Sequence, residues 1–326
     1  MAMRRLLKER LRTPYAIFLD LVTRWSAGRA GLALVYHRID HRQQDTESHL
    51  VAAIGSGRFE AQLRRLRARY RLVPASELHG AVRARRRGQR MPVAITFDDD
   101  LPSHVRAAMP RLASLGIPAT FFLSGASLHN PFAFWWERLQ SALDDHRVSE
   151  QELRAKVSLA ATPAGRGGIR GIASKMEVMP REEREEVARW LLQRIGSDPD
   201  DAGLRTEDVR ALVAAGFEIG FHTRGHDALP QLSDEELERA MSEGRAELEE
   251  IAGDKLSLIA YPHGKADSRV AAAARAAGYR FGFTTSPERI ADEGDALLMG
   301  RLYPSYHSIG RFELEVARTL RASRRS

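Results

Sequence analysis

The chain has 326 residues, long enough for one large α/β domain or two small ones with a substantial core. Its 43% hydrophobic and 29% charged residues are typical of a soluble globular protein. It contains no cysteine, which excludes disulfides, thiolate metal sites and cysteine nucleophiles. Any metal would therefore be held by His, Asp or Glu.

The net charge of +7 comes mainly from arginine-rich stretches at both ends of the chain and in residues 83–90. Such stretches can contact anionic lipid or nucleic acid. No aromatic residues are interleaved with them, which favours a solvated surface and ranks nucleic-acid binding last.

Residues 1–30 are predicted to form an N-terminal helical segment. Its apolar stretch is interrupted by Asp20 and Arg24, which argues against a secretory signal and against a membrane span. Packing of this helix on the domain is favoured, and peripheral contact with a membrane surface stays open.

Strand and helix patterns then alternate along the chain. In chain order they predict a strand at 32–36, a helix at 59–69, a strand at 71–73, a helix at 76–82, a strand at 93–97, a helix at 103–115 and a strand at 119–123. After residue 203 they predict helices at 206–216, 234–251 and 268–277, and strands at 217–221, 256–261, 279–284 and 296–302. This alternation predicts a parallel α/β sheet or barrel over residues 31–310, followed by a basic C-terminal tail at 311–326.

The pattern changes between residues 128 and 203, where no strand is evident. This stretch is too long for an ordinary connection and is predicted to be a mostly helical insertion that faces the substrate or acts as a lid. Its aromatic run, Phe134 to Trp136, suits either the core of the insertion or stacking on sugar rings, and the core is favoured.

Polar residues cluster where predicted strands end. Three aspartates, Asp98 to Asp100, follow the strand at 93–97, and His222 and His226 follow the strand at 217–221. The aspartates alone are as consistent with a helix N-cap as with a metal site. Because the carboxyl ends of barrel strands meet at one face, the joint placement favours two His and one carboxylate holding a catalytic metal ion.

These motifs resemble the polysaccharide deacetylases, a family of metal-dependent carbohydrate esterases. TFDD at 96–99 resembles the family's first motif, HTRGH at 222–226 its second and AYPHG at 260–264 its third, in a form found in exopolysaccharide-linked members. The resemblance covers roughly residues 32–302 without the insertion. It implies a distorted β/α barrel.

The resemblance also implies roles for individual residues. Asp98 would be the general base, and the metal ligands would be Asp99, His222 and His226. The expected ion is Zn²⁺, with Co²⁺, Ni²⁺ or Mn²⁺ as alternatives. The backbone N–H of His263 would face the oxyanion. His307, or alternatively His37, would protonate the leaving amine, and substrate contacts are expected from Tyr261, Pro262, Arg301 and His37.

Three departures from the family pattern matter, one of which is that the family's final motif is not clear. Asp100 stands where the family usually has Gly, which implies either a less tight loop or another acid in the site, and no role is assigned to it. Ala260 stands where many members carry an Arg that orients the base, so Arg301 or another cation is expected to replace it.

The sequence thus predicts a metal-dependent hydrolase that removes the N-acetyl group from an N-acetylhexosamine of a polysaccharide, oligosaccharide or lipid-linked glycan. The alternatives are a deformylase or another C–N hydrolase on the same scaffold, and a catalytically inactive glycan-binding relative. The expected location is the cytoplasm, at or away from the inner face of the membrane.

Overall fold

A computed structural model describes residues 2–41, 49–159 and 168–322, with side chains described from residue 11 onward. The strands are β1 (Ala30–Tyr36), β2 (Ile39–Asp40), β3 (Ile54–Gly55), β4 (Arg71–Leu72), β5 (Pro92–Asp98), β6 (Thr120–Leu123), β7 (Glu218–Phe221), β8 (Leu258–Ala260), β9 (Phe281–Phe283), β10 (Ile290–Ala291) and β11 (Arg301–Leu302). The helices are α1 (Ala2–Trp25), α2 (Ser56–Arg69), α3 (Ala75–Ala84), α4 (Met109–Leu115), α5 (Trp135–Asp144), α6 (Glu150–Lys156), α7 (Gly168–Glu177), α8 (Arg181–Ile195), α9 (Thr206–Ala214), α10 (Asp234–Ser242), α11 (Arg245–Ala252), α12 (Ser268–Ala276) and α13 (Ile309–Arg321).

The main sheet has the strand order β10-β1-β5-β6-β7-β8-β9, with β4 beside β5 and β11 beside β1. Its pairings are parallel except for that of β10 with β1. Met299 bridges to Phe283 of β9, and the adjoining β11 pairs with β1, so the sheet curls back towards its first strand. This confirms the predicted distorted β/α barrel.

Alternation of side chains along the strands separates two apolar layers. Val93, Ile95 and Phe97 of β5 pack in the layer that also holds the surrounding helices. Ala94, between them, belongs to a second cluster on the other face of the sheet, together with Phe122 and other strand residues. The small side chains on this second face leave room for a large polar side chain inside the curled sheet.

Two predicted secondary-structure elements differ from the structure. The helix expected at 234–251 is broken into α10 and α11 at Gly244, whose φ of 80° is left-handed and ends a helical run. Within the strand expected at 296–302, strand pairing is limited to β11 and the bridge at Met299.

The segment expected as a basic C-terminal tail is largely helical in the described part. α13 buries Phe312, Val316 and Leu320, which are spaced four residues apart on one helix face. It also packs against Ala16 and Leu19 of α1. Of the helices in the described residues, none combines the length and hydrophobicity that crossing a membrane would require.

The insertion between β6 and α9 consists of α5 to α8 and has an apolar core of its own. Trp135, Leu139, Leu153, Ile172 and Leu191 are buried in this core. Residues 160–167 lie outside the described part. The aromatic run is therefore part of a core, as favoured, although two of its rings also reach the site described next.

Candidate active site

A cavity of about 860 Å³ lies at the carboxyl ends of the strands, where parallel barrels place their active sites. Strand-end residues form its floor, the insertion forms one wall, and α13 with the segment before it forms another. The floor residues are His37, Asp98, Asp99, His222, His226 and His263.

Asp99 and the two motif histidines form a compact cluster. The Asp99 Oδ1 atom lies 3.5 Å from His222 Nε2 and 3.4 Å from His226 Nε2. One ligand atom from each of these buried residues lies within 4.8 Å of the others. Asp99 reaches this position through a left-handed backbone conformation, with φ at 71°.

The donor set fits a divalent cation. Asp99 Oδ1 is buried without a hydrogen-bond partner among the described residues, which is costly for a carboxylate oxygen unless a cation balances it. Burial raises the pKa of Asp99, but contacts with His226, His37 and His222 outweigh burial and lower that pKa well below its usual value. The carboxylate is therefore ionised, as a metal ligand requires.

The backbone fixes the tautomer of His222. Its Nδ1 lies 2.8 Å from the carbonyl oxygen of Ala260, so Nδ1–H donates and the Nε2 lone pair points at Asp99. Burial lowers the pKa of His222 to about 4, which keeps the ring neutral near pH 7. Such a carbonyl partner is the usual support of a metal-binding histidine.

Arg301 holds Asp98 by two hydrogen bonds. Its Nη1 and Nη2 donate to the two carboxylate oxygens at 2.6 and 2.7 Å. The guanidinium is fully buried inside the curled sheet, where it also donates to the Thr96 hydroxyl and the Thr284 carbonyl. Burial raises the pKa of Asp98, but Arg301 more than compensates and the pKa is lowered.

Arg301 therefore provides Asp98 with the cation that is missing at position 260. This agrees with one of the two expectations for Arg301. The other expectation, a substrate contact, is wrong because Arg301 lies behind Asp98 and does not line the cavity.

Asp100 does not line the cavity, and its carboxylate is bound by the loop after β6 instead. Its carboxylate accepts hydrogen bonds from the Ser124 backbone and hydroxyl at 2.8 and 2.7 Å, and from the Ala126 backbone at 3.1 Å. Asp100 thus ties the loop after β6 to the end of β5.

His104 was missed by the sequence reasoning. It is fully buried, and its Nε2 lies 3.0 Å from the carbonyl oxygens of both Asp98 and Asp99. Nε2–H must donate to these acceptors, so His104 supports the backbone of the site from below. A histidine six residues after Asp98 inside a predicted helix gave no signal that would have marked it.

The third motif contributes one side chain to the cavity. His263 lines it, with a buried Nε2 that has no partner among the described residues, and its Nδ1 lies 3.4 Å from a carboxylate oxygen of Glu177 on α7. Tyr261 is fully buried and donates to the Leu297 carbonyl, and Pro262 is buried away from the cavity. The substrate contacts expected from these two side chains are therefore not supported.

The two other candidate histidines differ in position. His37 Nε2 lies 4.0 Å from Asp99 Oδ2, and its ring stacks on Tyr303 with centroids 5.6 Å apart. His307 is exposed where the segment before α13 borders the cavity.

The insertion contacts the second motif directly. Trp136 lies beside His226, with ring centroids 4.4 Å apart. On α8, Arg184 forms a buried ion pair with Asp227, the residue after His226. Neither Arg184 nor Asp227 was singled out from the sequence, because residues 43 positions apart give no sign of pairing.

Comparison with known proteins identifies the family of the chain. A family model described as polysaccharide deacetylase matches residues 85–165 and 172–282. No match was found among curated protein sequences.

Solved structures share the fold at low sequence identity. The Streptococcus pyogenes deacetylase PplD in complex with acetate superposes with a TM-score of 0.60 at 16% identity, covering 90% of this chain and 99% of that one. IcaB from Ammonifex degensii has a TM-score of 0.56 at 20% identity over 88% and 98% of the two chains. The putative polysaccharide deacetylase BA0330 from Bacillus anthracis has a TM-score of 0.56 at 20% identity over 89% and 69%. With more than half of its residues matched by the family model, the chain belongs to the polysaccharide deacetylase family and is a hydrolase of amide carbon–nitrogen bonds.

Proposed function

We propose that the protein is a metal-dependent N-deacetylase that releases acetate from an N-acetylhexosamine of a glycan. The observation that carries this proposal is the Asp99, His222 and His226 cluster beside the arginine-paired Asp98 on the cavity floor. Similarity to deacetylases, including one solved with acetate, supports the choice of the acetyl group.

A divalent ion, most simply Zn²⁺, would be held by Asp99, His222 and His226 and would supply Lewis acidity towards the acetamide carbonyl. The remaining chemistry belongs to side chains of the chain. Asp98, kept ionised by Arg301, accepts the proton of the attacking water. The backbone N–H of His263 is assigned to the developing oxyanion.

The amine leaves only if it gains a proton, and three of the histidines that line the cavity are not assigned as metal ligands. His37 and His263 lie on the floor near Asp99, whereas His307 lies at the exposed border. The expectation that His307 is the donor predicts that H307Q lowers kcat more strongly than H37Q or H263Q does. Comparing kcat for the three variants separates the candidates.

The size of the cavity suits more than one sugar unit. Its volume of about 860 Å³ lies in the upper range of small-molecule sites. Trp135 and Trp136 line one wall of the cavity, and neither indole N–H has a hydrogen-bond partner among the described residues. These donors are suited to hydroxyl or acetamide oxygens of a glycan.

The inactive-relative alternative rested on two departures, the missing Arg at Ala260 and the presence of Asp100, and both are weakened. Arg301 provides Asp98 with a cation, and Asp100 is held by the loop after β6. Among the residues that the structure describes, none in the site favours formyl over acetyl groups.

The test is acetate release from N-acetylglucosamine oligomers by the full chain loaded with zinc. Wild type should be active, while D98N and H222A should lose nearly all activity and keep the wild-type circular dichroism spectrum. Unchanged acetate release in both variants would rule the proposal out. Formate assayed in parallel with N-formyl substrates checks the deformylase alternative.

A further inference from the structure

One face of α1 is unusually apolar for a solvent-exposed surface. In the described part of the chain, nine large apolar side chains are exposed, and seven of them belong to α1. They are Leu11 (60% exposed), Tyr15 (47%), Ile17 (45%), Phe18 (56%), Leu21 (51%), Val22 (40%) and Trp25 (60%).

Helical spacing places these residues together. Residues 11, 15, 18, 22 and 25 follow one another at intervals of three or four, which aligns them along one side of a helix. The opposite side, with Ala16 and Leu19, is the one packed on α13. The exposed residues therefore form one continuous surface, the α1 apolar face, and contiguous apolar surface of this kind marks an interaction site.

Arginines border the α1 apolar face. A groove of about 300 Å³ is lined by Ile17 and Leu21 of this face and by arginines of α1, α2 and the segment before β5. The charged residues of the groove are Arg24, Arg65, Arg69, Arg90, Asp20 and Glu313. Arg69 is paired with both carboxylates and Arg65 Nε lies 3.6 Å from Glu313, but four arginines against two carboxylates still leave the groove with a net positive charge.

The α1 apolar face also adjoins the active-site cavity. Arg318 of α13 lines the cavity, and its guanidinium carbon lies 6.0 Å from the centroid of the Tyr15 ring. A surface that covers the α1 apolar face would therefore lie next to the cavity wall formed by α13.

We propose that the α1 apolar face and its arginine groove bind the surface of an anionic phospholipid bilayer. Apolar residues would enter the boundary between headgroups and acyl chains, and the arginines would contact phosphate groups, as in amphipathic helices that lie on membranes. A second copy of the chain fits less well. A two-fold interface through this face would bring its arginine grooves close to their own copies, which is repulsive.

The experiment is vesicle co-sedimentation of the full chain, without substrate, so its result does not depend on the proposed deacetylation. Vesicles of phosphatidylcholine alone are compared with vesicles that also contain phosphatidylglycerol. We expect binding to the anionic vesicles that weakens as salt is raised.

Two variants separate the apolar and the charged contributions. L11S/F18S, which removes apolar area without changing charge, should lower the partition coefficient about tenfold or more. R65S/R90S should lower binding to anionic vesicles by about fivefold per arginine and leave binding to neutral vesicles unchanged. V178S is the matched control, because Val178 is 47% exposed but lies on the insertion, and it should bind like wild type.

Three results would overturn the proposal. They are the absence of binding to anionic vesicles, equal binding by wild type and L11S/F18S, and a solution dimer that L11S/F18S abolishes. The last result would identify the α1 apolar face as an interface between copies. Thermal unfolding of each variant checks that the substituted chains are folded.

Discussion

At the scale of single residues, the pairing of Asp98 with Arg301 shows how the chain replaces a missing cation. Ala260, Ala33 and Ala94 are small and lie in one cluster with Phe122, over which the Arg301 guanidinium sits at 5.5 Å. An arginine entering from β11, 203 positions after Asp98, fills the space inside the sheet. The cation comes from a different strand, but the carboxylate keeps a bidentate partner.

The first prediction concerns this pair. In R301M the buried Asp98 carboxylate loses its cation, so burial dominates and its pKa rises. The acid limb of the pH profile of kcat/KM for acetate release should move up by roughly one to three pH units. R29M, which removes an exposed arginine, is the control, and an unshifted acid limb in R301M would mean that Asp98 is not the base.

The second prediction concerns Asp100. In D100N an amide replaces a carboxylate that accepts five hydrogen bonds from the loop after β6, and an amide nitrogen cannot accept from the Ala126 backbone. The free energy of unfolding in urea should fall by about 1–3 kcal/mol. Zinc affinity should stay near that of wild type, and a variant of normal stability that fails to bind zinc would instead place Asp100 in the metal site.

The third prediction uses the buried His104. Burial lowers its pKa from 6.5 to about 4, so between these values the unfolded chain binds more protons than the folded chain. Stability from this group is complete above pH 6.5 and is lost as pH falls towards 4, by up to about 3 kcal/mol.

In H104Q the amide can still donate to the Asp98 and Asp99 carbonyls but does not titrate. Urea unfolding of the metal-free chain should therefore show a weaker loss of stability between pH 6.5 and 4 than in wild type. H146Q, at an exposed histidine, controls for the loss of one imidazole. A pH dependence equal to that of wild type in H104Q would contradict the assignment.

These residues also show which parts of the site could be predicted from sequence. Asp98, Asp99, His222 and His226 stand at strand ends, and parallel strands bring those ends together whatever the loops do. The partners of His104 and most of those of Asp100 are backbone groups, which every residue possesses, so no residue type indicates them.

At the scale of elements, a buried ion pair joins the insertion to the loop of the second motif. Arg184 of α8 is 5% exposed and Asp227 is 3% exposed, so Arg184 is the main balancing charge for the buried carboxylate, with Arg181 of α8 at 3.8 Å as a second, weaker partner. This contact fixes the loop that carries His226 against the insertion. The length and polarity of residues 128–203 predicted the helices of the insertion. They did not predict which charged side chains of these helices would be buried.

The fourth prediction is a double-mutant cycle on this pair. R184M leaves the buried Asp227 carboxylate with only the more distant Arg181, whose Nη1 lies 3.8 Å away, and should lower the free energy of unfolding by up to about 3–5 kcal/mol. R184M/D227N removes the poorly balanced charge as well and should recover much of that loss. Zinc affinity should fall in R184M and recover in the double variant, and additive stability losses would show that the two residues do not interact.

At the scale of the whole molecule, the predicted barrel was correct because its evidence was repeated along the chain. Each strand–helix unit carries a weak signal, and six such units followed by two further strands exclude most other topologies. The role of the two termini was not predicted in full. α13 has an apolar face of its own and forms one wall of the cavity, and α1 packs against α13.

The fifth prediction joins the two proposals. If the α1 apolar face lies on a bilayer, enzyme and lipid-carried glycan share one surface and their effective concentration rises. Wild type should deacetylate an N-acetylglucosamine oligosaccharide attached to a lipid in anionic vesicles at least about tenfold more efficiently than the same oligosaccharide in solution.

L11S/F18S should lose this advantage and keep the wild-type rate on the free oligosaccharide, because Leu11 and Phe18 do not line the cavity. V178S should behave as wild type on both substrates. Initial rates of acetate release provide the measurement. An equal advantage in wild type and L11S/F18S would mean that the lipid substrate reaches the cavity without help from α1, whereas loss of both rates in L11S/F18S would point to a damaged α13 wall.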